Sequence, residues 1–379
     1  MNPVSIYIHF PFCIKRCRYC DFVSYPRGDR SEHLGYLALL RKELFLKLER
    51  YAMWGREVGT IYFGGGTPSL LEADDLGGLL ATLQAAFSFL PDIEVTLEMR
   101  PREEDIKKIK GFRQAGISRL SVGVQSFEPE NLYFLGRDTP IAVLVQTIEE
   151  TRENFDQWNM DFMYGLPFQD LERWQKDLER ALSFTPPHLS VYNLTLHPPS
   201  PLYWFYRFHP RLFPSSENES ILWEWTMIRL KAAGYRQYEI SNFAQPGHEC
   251  RHNLSYWSNR EYLGLGVSAW SYLGETRERN ASSLGRYTRA LQKNTVPVVF
   301  QERLSPTRKL GEIIVLGLRR GDGISVEDLE GYPVSLVEEK MKTLDRLVQE
   351  GWLCENQGRY YFSSRGLSLA NQVLAELID

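Results

Sequence analysis

The sequence lacks the features that mark secreted, membrane-spanning or nucleic-acid-binding proteins. It has only five cysteines in 379 residues, too few and too unevenly placed for a disulfide framework, which predicts a cytoplasmic protein in a reducing compartment. It has no run of 18 apolar residues and no charged segment followed by an apolar one, so we expect neither a transmembrane helix nor a signal peptide. The net charge of −4 gives no basic excess, and we expect no nucleic-acid partner.

Three of the five cysteines, Cys13, Cys17 and Cys20, form a CxxxCxxC motif directly after a strand-like segment. A [4Fe–4S] cluster is held by cysteine thiolates on its four irons, so three cysteines leave one iron open to a small molecule. Zinc is the alternative, but structural zinc takes four protein ligands, and the sequence has no second CxxC pair. We therefore predict a [4Fe–4S] cluster at these three cysteines.

Short apolar segments alternate with helical segments over the first half of the chain. This alternation predicts an α/β fold, a partial (β/α)6 TIM-like barrel. Unusual polar residues and glycines follow the C-terminal ends of the strands, which is the face that carries the site in such barrels. The predicted strands span residues 5–10, 60–63, 94–98, 119–123, 160–164 and 188–194.

The pattern predicts three regions along the chain. Residues 1–235 would form the barrel, residues 236–300 an irregular, aromatic-rich connection, and residues 301–379 a smaller winged-helix-like α+β region. From residue 305 onward there are nine Lys or Arg and twelve Asp or Glu. Because this balance is acidic, we do not expect the winged-helix-like region to bind DNA.

The cysteine motif, with Tyr19 directly before its last cysteine, resembles that of the radical S-adenosylmethionine superfamily. The resemblance implies that the amino and carboxylate groups of S-adenosylmethionine occupy the fourth iron. The glycine-rich segment Gly64-Gly-Gly-Thr-Pro68 is similar to the superfamily's GGE-type motif, which contacts the amino group. Taken alone this segment is weak evidence, because tight strand-to-helix turns also need glycine.

Several strand ends are similar to one branch of the superfamily, formed by oxygen-independent coproporphyrinogen III dehydrogenase and the related haem chaperones of the HemW type. The resemblance runs from residue 7 to about residue 272. It implies that a set of positions binds or neighbours S-adenosylmethionine. Carboxylates can bind an ammonium or ribose hydroxyls, and arginine can bind a carboxylate. The implied positions are Tyr7, Tyr19, Gly65, Gly66, Thr67, Glu98, Gln125, Arg137 and Asp161.

Two features separate the members of this branch. In the dehydrogenase a fourth cysteine lies two residues after the third, whereas this chain has Phe22 there. The segment His252-Asn-Leu-Ser-Tyr-Trp257 matches the HNxxYW signature of the chaperones, in which the histidine is implicated in holding haem. Imidazole is a common axial ligand of haem iron. A histidine packed beside an aromatic cluster is the structural alternative.

Two segments depart from the pattern of the branch. Glu98-Met99-Arg100-Pro101 stands where the branch has a segment like Glu-Ala-Asn-Pro, and Gly266-Val-Ser-Ala-Trp270-Ser271 stands where it has Gly-Ala-His-Ser. The first change adds the charge of Arg100 beside the predicted cofactor site. The second removes a histidine, and with it any role that the family gives that histidine.

The resemblance implies a haem carrier with a [4Fe–4S] cluster, S-adenosylmethionine and haem. Its partners would be haem-accepting apoproteins, including respiratory proteins at the inner face of the membrane. The alternative is an enzyme that uses S-adenosylmethionine for the oxidative decarboxylation of a porphyrinogen, with the cofactor carrying the difficult step. Phe22 and His252 favour the carrier. A purely structural cluster is disfavoured, because a closed structural site has four protein ligands.

Overall fold

The computed structural model describes residues 2–26, 28–198 and 200–377. The strands in these ranges are β1 (Val4–Phe10), β2 (Phe12–Cys13), β3 (Tyr25–Pro26), β4 (Glu57–Gly65), β5 (Ser88–Met99), β6 (Arg119–Gln125), β7 (Gln157–Tyr164), β8 (His188–Asn193), β9 (Arg236–Gln237), β10 (Asn242–Ala244), β11 (Tyr262–Leu265), β12 (Trp270–Leu273), β13 (Thr276–Asn280), β14 (Val298–Arg303), β15 (Ile324–Ser325), β16 (Leu353–Asn356) and β17 (Arg359–Phe362).

The helices alternate with the strands over the first half of the chain and dominate its last third. They are α1 (Arg30–Arg50), α2 (Ala73–Ala86), α3 (Glu103–Ile106), α4 (Ile109–Gln114), α5 (Pro129–Leu135), α6 (Ile141–Asn154), α7 (Leu171–Ser183), α8 (Pro201–Phe208), α9 (Ser216–Ala232), α10 (Arg251–Trp257), α11 (Leu284–Gln292), α12 (Pro306–Leu318), α13 (Val334–Gln349), α14 (Ser364–Ser368) and α15 (Ala370–Ala375). In the described ranges, no helix combines the length and the apolar character that crossing a bilayer requires.

One large open sheet organises the first 300 residues. Its order is β14-β13-β12-β11-β1-β4-β5-β6-β7-β8-β10-β9, and the strands from β11 to β8 in this order are parallel. The six strands predicted from the sequence are β1 and β4 to β8. The α/β prediction is therefore confirmed, with helices covering one face of an incomplete barrel.

The two faces of the sheet differ in polarity, because successive side chains of a strand point to opposite sides. On β4, Ile61 and Phe63 are fully buried in the apolar core that the helices cover. Thr60 and Tyr62 face the other way and hydrogen-bond to polar groups within the curve of the sheet. Tyr62 of β4 and Tyr192 of β8 line the same pocket. In a flat sheet, the four strand spacings between β4 and β8 would hold these residues about 19 Å apart. The sheet is therefore strongly curved.

Residues 236–300 differ from the expectation of an irregular connection. Six strands begin in this stretch: β10 and β9 continue the large sheet beyond β8, and β11 to β14 extend it beside β1. The four strands beside β1 were not predicted. They are only four to six residues long and are separated by turns with positive φ at Gly266, Ser268 and Glu275. Such short strands carry too few alternating residues to give a clear periodic pattern.

A buried carboxylate attaches α1 to this extension of the sheet. Glu43 is fully buried and pairs with Lys47 at 2.8 Å. It also accepts hydrogen bonds from the Gly266 N–H at 2.7 Å, the Asn280 amide at 2.5 Å and the Tyr287 hydroxyl at 2.7 Å. A buried charge is tolerated only when it is paired and hydrogen-bonded in this way. Glu43 thus joins α1 to β11, β13 and α11.

The C-terminal region has an apolar core of its own around α12, α13 and a small sheet of order β15-β17-β16. Its elements follow one another as α12, a short 3₁₀ helix at Val326–Leu329, α13, the β16–β17 hairpin, α14 and α15. The winged-helix-like arrangement is confirmed. The residue boundaries of the three regions stay a prediction.

The Glu43 network gives a test of the fold. We expect Glu43→Ala to lower the free energy of unfolding by about 3–5 kcal/mol, because it leaves Lys47 and several donors buried without their partner. The measurement is chemical denaturation followed by circular dichroism. Glu49→Ala, at an exposed position of the same helix, should change the free energy by less than about 0.5 kcal/mol. Equal values for the two variants would contradict the role given to Glu43.

Candidate cofactor-binding site

A pocket of about 390 Å³ lies at the C-terminal ends of the parallel strands. This volume falls within the usual range of small-molecule sites, about 300–1,000 Å³. The pocket brings together the three cysteines and all the positions assigned to S-adenosylmethionine except Tyr7. The site residues predicted from the sequence that line it are Cys13, Cys17, Tyr19, Cys20, Gly65, Gly66, Thr67, Glu98, Gln125, Arg137 and Asp161.

The three thiols line this pocket. In the described residues, no three His, Cys, Asp or Glu side chains converge as the ligands of a single metal ion. A [4Fe–4S] cluster would place each thiolate on a separate iron, whereas a structural zinc would need a fourth protein ligand beside the three cysteines. Burial raises the pKa of the Cys13 thiol and raises the pKa of Cys20 to about 11. Binding of iron therefore displaces protons from these thiols.

Gly65 and Gly66, at the C-terminal end of β4, line the pocket and also allow close packing of the chain. Gly65 has φ +107°, and a Cβ there would lie 2.5 Å from the His9 ring. A Cβ on Gly66 would lie 2.5 Å from the Phe12 carbonyl oxygen. The Gly66 N–H donates to the Phe10 carbonyl at 2.7 Å. Both positions need glycine because the chain entering the cysteine loop passes directly over them.

Two half-buried carboxylates give the pocket a preference for a cation. Glu98 accepts hydrogen bonds from the Tyr62 hydroxyl at 2.9 Å and the Gly65 N–H at 3.2 Å. Burial and, after it, repulsion from Asp161 raise the pKa of Glu98 to about 7. Burial also raises the pKa of Asp161. A positively charged ligand would stabilise the ionised form of both carboxyls and so lower their pKa values. The sulfonium and ammonium groups of S-adenosylmethionine are such charges.

Arg137 supplies a donor on the other side of the pocket. Its guanidinium donates to the Gly123 carbonyl and to the Tyr19 hydroxyl, while its buried Nε has no hydrogen-bond partner among the described residues. Next to it, Gln125 has φ +72° at a register shift of β6, a conformation that is uncommon outside glycine and typical of functional sites. An unpartnered donor here fits the carboxylate of S-adenosylmethionine.

Some lining residues were not assigned from the sequence. Arg100 lies against the cysteine loop, with its Nη1 3.7 Å from Cys17 Sγ and 2.8 Å from the Lys15 carbonyl oxygen. The positive charge by which this chain departs from the pattern of the branch therefore lies at the cofactor site. Phe22 lines the pocket with an exposed ring. Lys15, Arg16 and Met99 line the pocket as well. The alternation of the strands could have indicated a further five, which are Tyr62, Ser121, Gly123, Met163 and Tyr192.

Tyr7 lies beneath the pocket. Its ring packs under Gly64 and against the Tyr62 ring, with centroids 6.2 Å apart. Its hydroxyl is hydrogen-bonded to His9 Nδ1 at 3.1 Å. Tyr7 therefore supports the residues that line the pocket.

The structure does not bring His252 to this pocket. Its backbone N–H donates to Glu94 at 3.0 Å, and Glu94 precedes Glu98 by four residues on β5, which is about 13 Å along the strand. The ring is 1% exposed. Its Nδ1 lies 2.8 Å from the Thr60 hydroxyl and its Nε2 lies 3.0 Å from the Tyr256 hydroxyl.

The predicted role of His252 as a haem ligand stays a prediction. To bind haem iron, the ring would exchange one of its two hydrogen bonds, with Thr60 or with Tyr256, for the metal. Burial and, after it, the nearby charge of Arg119 lower the pKa of His252 to about 3. In this conformation His252 is a neutral histidine packed between the rings of Tyr62 and Tyr256.

The cluster assignment is tested by iron content. We expect Cys17→Ala to abolish the [4Fe–4S] cluster, because each thiolate holds a different iron. Iron per chain and the visible absorbance of the anaerobically reconstituted protein measure this loss. Cys354→Ala, in β16 and outside the pocket, should keep the full iron content. Unchanged iron in the Cys17 variant would refute the site.

The raised pKa of Glu98 predicts a pH dependence of S-adenosylmethionine binding. Its carboxyl is charged above pH 7 and neutral below it, and the charged form attracts the cationic ligand. The affinity should therefore fall as the pH drops, by about tenfold between pH 8 and pH 6 for a group with this pKa. Calorimetric titration of the reconstituted protein measures it. Glu98→Gln should bind more weakly with a flatter pH profile, and an unchanged profile would contradict the assignment.

Comparison with known proteins agrees with this geometry. A sequence profile described as the radical SAM superfamily matches residues 7–181, and one described as the HemN C-terminal domain matches residues 304–369. Among solved structures, coproporphyrinogen III oxidase (HemN) from Escherichia coli superposes with a TM-score of 0.85 at 24% identity, covering 99% of this chain and 90% of that one. This likeness shows a common fold.

The similarity to curated sequences extends over the full chain. Heme chaperone HemW of Bacillus subtilis is 33% identical, with 99% of both chains covered. Heme chaperone HemW of Escherichia coli is 32% identical, with 99% of this chain and 98% of that protein covered. This similarity shows that the chain belongs to the HemW family of the radical SAM superfamily, and the three-cysteine pocket and the shared fold agree with it.

Proposed function

We propose that the protein is a haem carrier that binds a [4Fe–4S] cluster with S-adenosylmethionine, binds haem, and passes haem to acceptor apoproteins. The observation that carries this proposal is the full-length similarity to proteins named heme chaperones. The three-cysteine pocket at the mouth of the barrel supports the cluster and S-adenosylmethionine.

The residues of the pocket fit both cofactors. Cys13, Cys17 and Cys20 would each hold one iron. Glu98 and Asp161 would face the positive groups of S-adenosylmethionine, and the residues around Arg137 its carboxylate. When bound, the cluster and S-adenosylmethionine supply one-electron chemistry that no side chain of the protein can provide. The role of the chain is to hold the ligand beside the open iron.

Nothing at the site favours the porphyrinogen dehydrogenase over the carrier. The position at which the dehydrogenases have a fourth cysteine is Phe22, whose exposed ring lines the pocket. Phenylalanine can donate neither a proton nor an iron ligand there. The structural likeness to coproporphyrinogen III oxidase is a likeness of fold.

The proposed place of action is the cytoplasm, with peripheral contact at the inner face of the membrane. A carrier that supplies membrane-bound respiratory proteins must meet them at that surface. The acceptors in this proposal are the apo forms of such proteins.

Transfer of haem is the direct test. We expect the haem-loaded protein to donate haem to the apo form of a membrane-bound respiratory cytochrome b faster than haem-loaded serum albumin does, because a carrier must release its cargo on contact. The shift of the Soret band follows the transfer. Apomyoglobin serves as the control acceptor. Accumulation of decarboxylated porphyrinogen with S-adenosylmethionine and a reductant, without haem transfer, would instead establish the dehydrogenase.

A further inference from the structure

The carboxylate of Asp161 is held from beneath the pocket. The side-chain amide nitrogen of Asn159 lies 2.6 Å from Asp161 Oδ1 and 2.7 Å from the Ser121 hydroxyl. Asn159 precedes Asp161 by two positions on β7, so both side chains face the interior of the barrel. Asn159 itself is 1% exposed. It therefore contacts this carboxylate of the cofactor site from a buried layer.

His188 meets Asn159 from the neighbouring strand. The register of β7 and β8 places the two residues side by side, and His188 Nδ1 lies 2.6 Å from Asn159 Oδ1. The Ser190 hydroxyl lies 3.2 Å from the same oxygen, which is a longer contact. His188 is buried. Burial and, after it, the charge of Arg119 lower the pKa of His188 well below its usual range, so the ring is neutral.

The direction of each hydrogen bond follows from what its groups can donate. An ionised carboxylate only accepts hydrogen bonds, so the amide nitrogen of Asn159 faces Asp161 and the amide oxygen faces His188. That oxygen carries no hydrogen. His188 must therefore hold its single ring proton on Nδ1, which makes its Nε2 an acceptor.

The hydroxyl of Tyr238 supplies the hydrogen for that acceptor. It lies 2.8 Å from His188 Nε2, and the two rings pack with centroids 5.4 Å apart. The Cys250 N–H, just before α10, donates to the Tyr238 oxygen at 3.3 Å. The hydrogen bonds thus run in one direction from the start of α10 to Asp161. We call Tyr238, His188 and Asn159 the interior chain.

The interior chain gives the Asn159 amide a single orientation, because the donors and acceptors of its members are all used. Without the His188 donor, Asn159 Oδ1 would lose the shorter of its two hydrogen bonds, and the amide would be free to turn its oxygen toward Asp161. Oxygen facing a carboxylate repels it, so Asp161 would leave its position in the pocket. A group that contacts a ligand binds best when its neighbours hold its rotamer in advance.

We propose that His188 is a positioning residue of the cofactor site, which fixes the amide of Asn159 and thereby orients the carboxylate of Asp161 toward S-adenosylmethionine. This inference rests on the cofactor part of the proposed function, and it assigns a role to a histidine buried beneath the pocket. Asp161 contacts the ligand, whereas His188 acts only through Asn159.

The test is calorimetric titration of the anaerobically reconstituted protein with S-adenosylmethionine. We expect His188→Leu to lower the affinity by about tenfold or more, as is typical when a residue that orients a ligand-binding group is removed, while iron per chain is unchanged. His188→Asn should recover most of the affinity, because its amide can donate to Asn159 from the position of Nδ1. Both variants lose the hydrogen bond to Tyr238, so a loss of stability alone would lower both affinities alike.

Thr226→Val is the matched control for the loss of a buried hydrogen bond. Thr226 is buried on α9 and accepts from Trp174 Nε1 of α7 at 2.7 Å. We expect this variant to lower the free energy of unfolding and to bind S-adenosylmethionine as the unchanged protein does. If His188→Leu does not fold, His188→Gln takes its place, because its longer side chain reaches toward Tyr238 and leaves Asn159 Oδ1 without this donor.

A double-mutant cycle shows whether His188 acts through the carboxylate of Asp161. Asp161→Asn alone should weaken the binding of S-adenosylmethionine. In that background, His188→Leu should cause little further loss of affinity, because the group that it orients no longer carries the charge.

The outcomes separate the inference from the proposed function. Equal affinity of His188→Leu and the unchanged protein, or an equal loss in His188→Leu and His188→Asn, overturns the positioning role and leaves the proposed function in place. The same loss from His188→Leu with and without Asp161→Asn also overturns it. If the unchanged protein with its full iron content does not bind S-adenosylmethionine, the cofactor part of the proposed function fails together with this inference, and haem transfer still decides the carrier function.

Discussion

The buried carboxylate of Glu43 is the interaction on which the placement of the site depends. The cysteine loop lies between β1 and α1, so its position follows from how these two elements are held together. Glu43 and Tyr36, both on α1, reach the end of β1 and the neighbouring β11. The Tyr36 hydroxyl donates to the His9 carbonyl at 2.9 Å and accepts from the Val267 N–H at 3.0 Å. A polar network inside an otherwise apolar layer thus fixes the strand end from which the cysteines project.

The curved sheet has two polar ends with different tasks. At the C-terminal ends of the strands, Glu98 and Asp161 face an open pocket and have raised pKa values. Arg137 has a donor there without a partner among the described residues. At the other end, α10 lies within the curve of the sheet, and its polar side chains are hydrogen-bonded to polar side chains of the strands. There Ser5 donates to Ser255 at 2.8 Å and Thr60 donates to Ser5 at 2.9 Å. Satisfied groups stabilise the fold, and unsatisfied ones leave room for a ligand.

Much of this arrangement could be predicted from the sequence because it depends on local pattern. The spacing of the cysteines and the alternation of strands and helices placed the barrel and its mouth correctly. The strands β11 to β14 escaped prediction because each is short and interrupted by turns. The environment of His252 escaped because burial and partners depend on residues such as Thr60 and Glu94, far away in the chain. A motif gives residue types, but only the fold shows which of their atoms are already engaged.

The HNxxYW segment connects both parts of the protein. Its histidine and Tyr256 are hydrogen-bonded inside the barrel, while the guanidinium of Arg319, just after α12, lies over the Trp257 ring at 5.6 Å. A substitution in this segment would therefore disturb the contact between the two regions as well as any ligand that its histidine holds. The signature is therefore evidence of how the two regions are assembled.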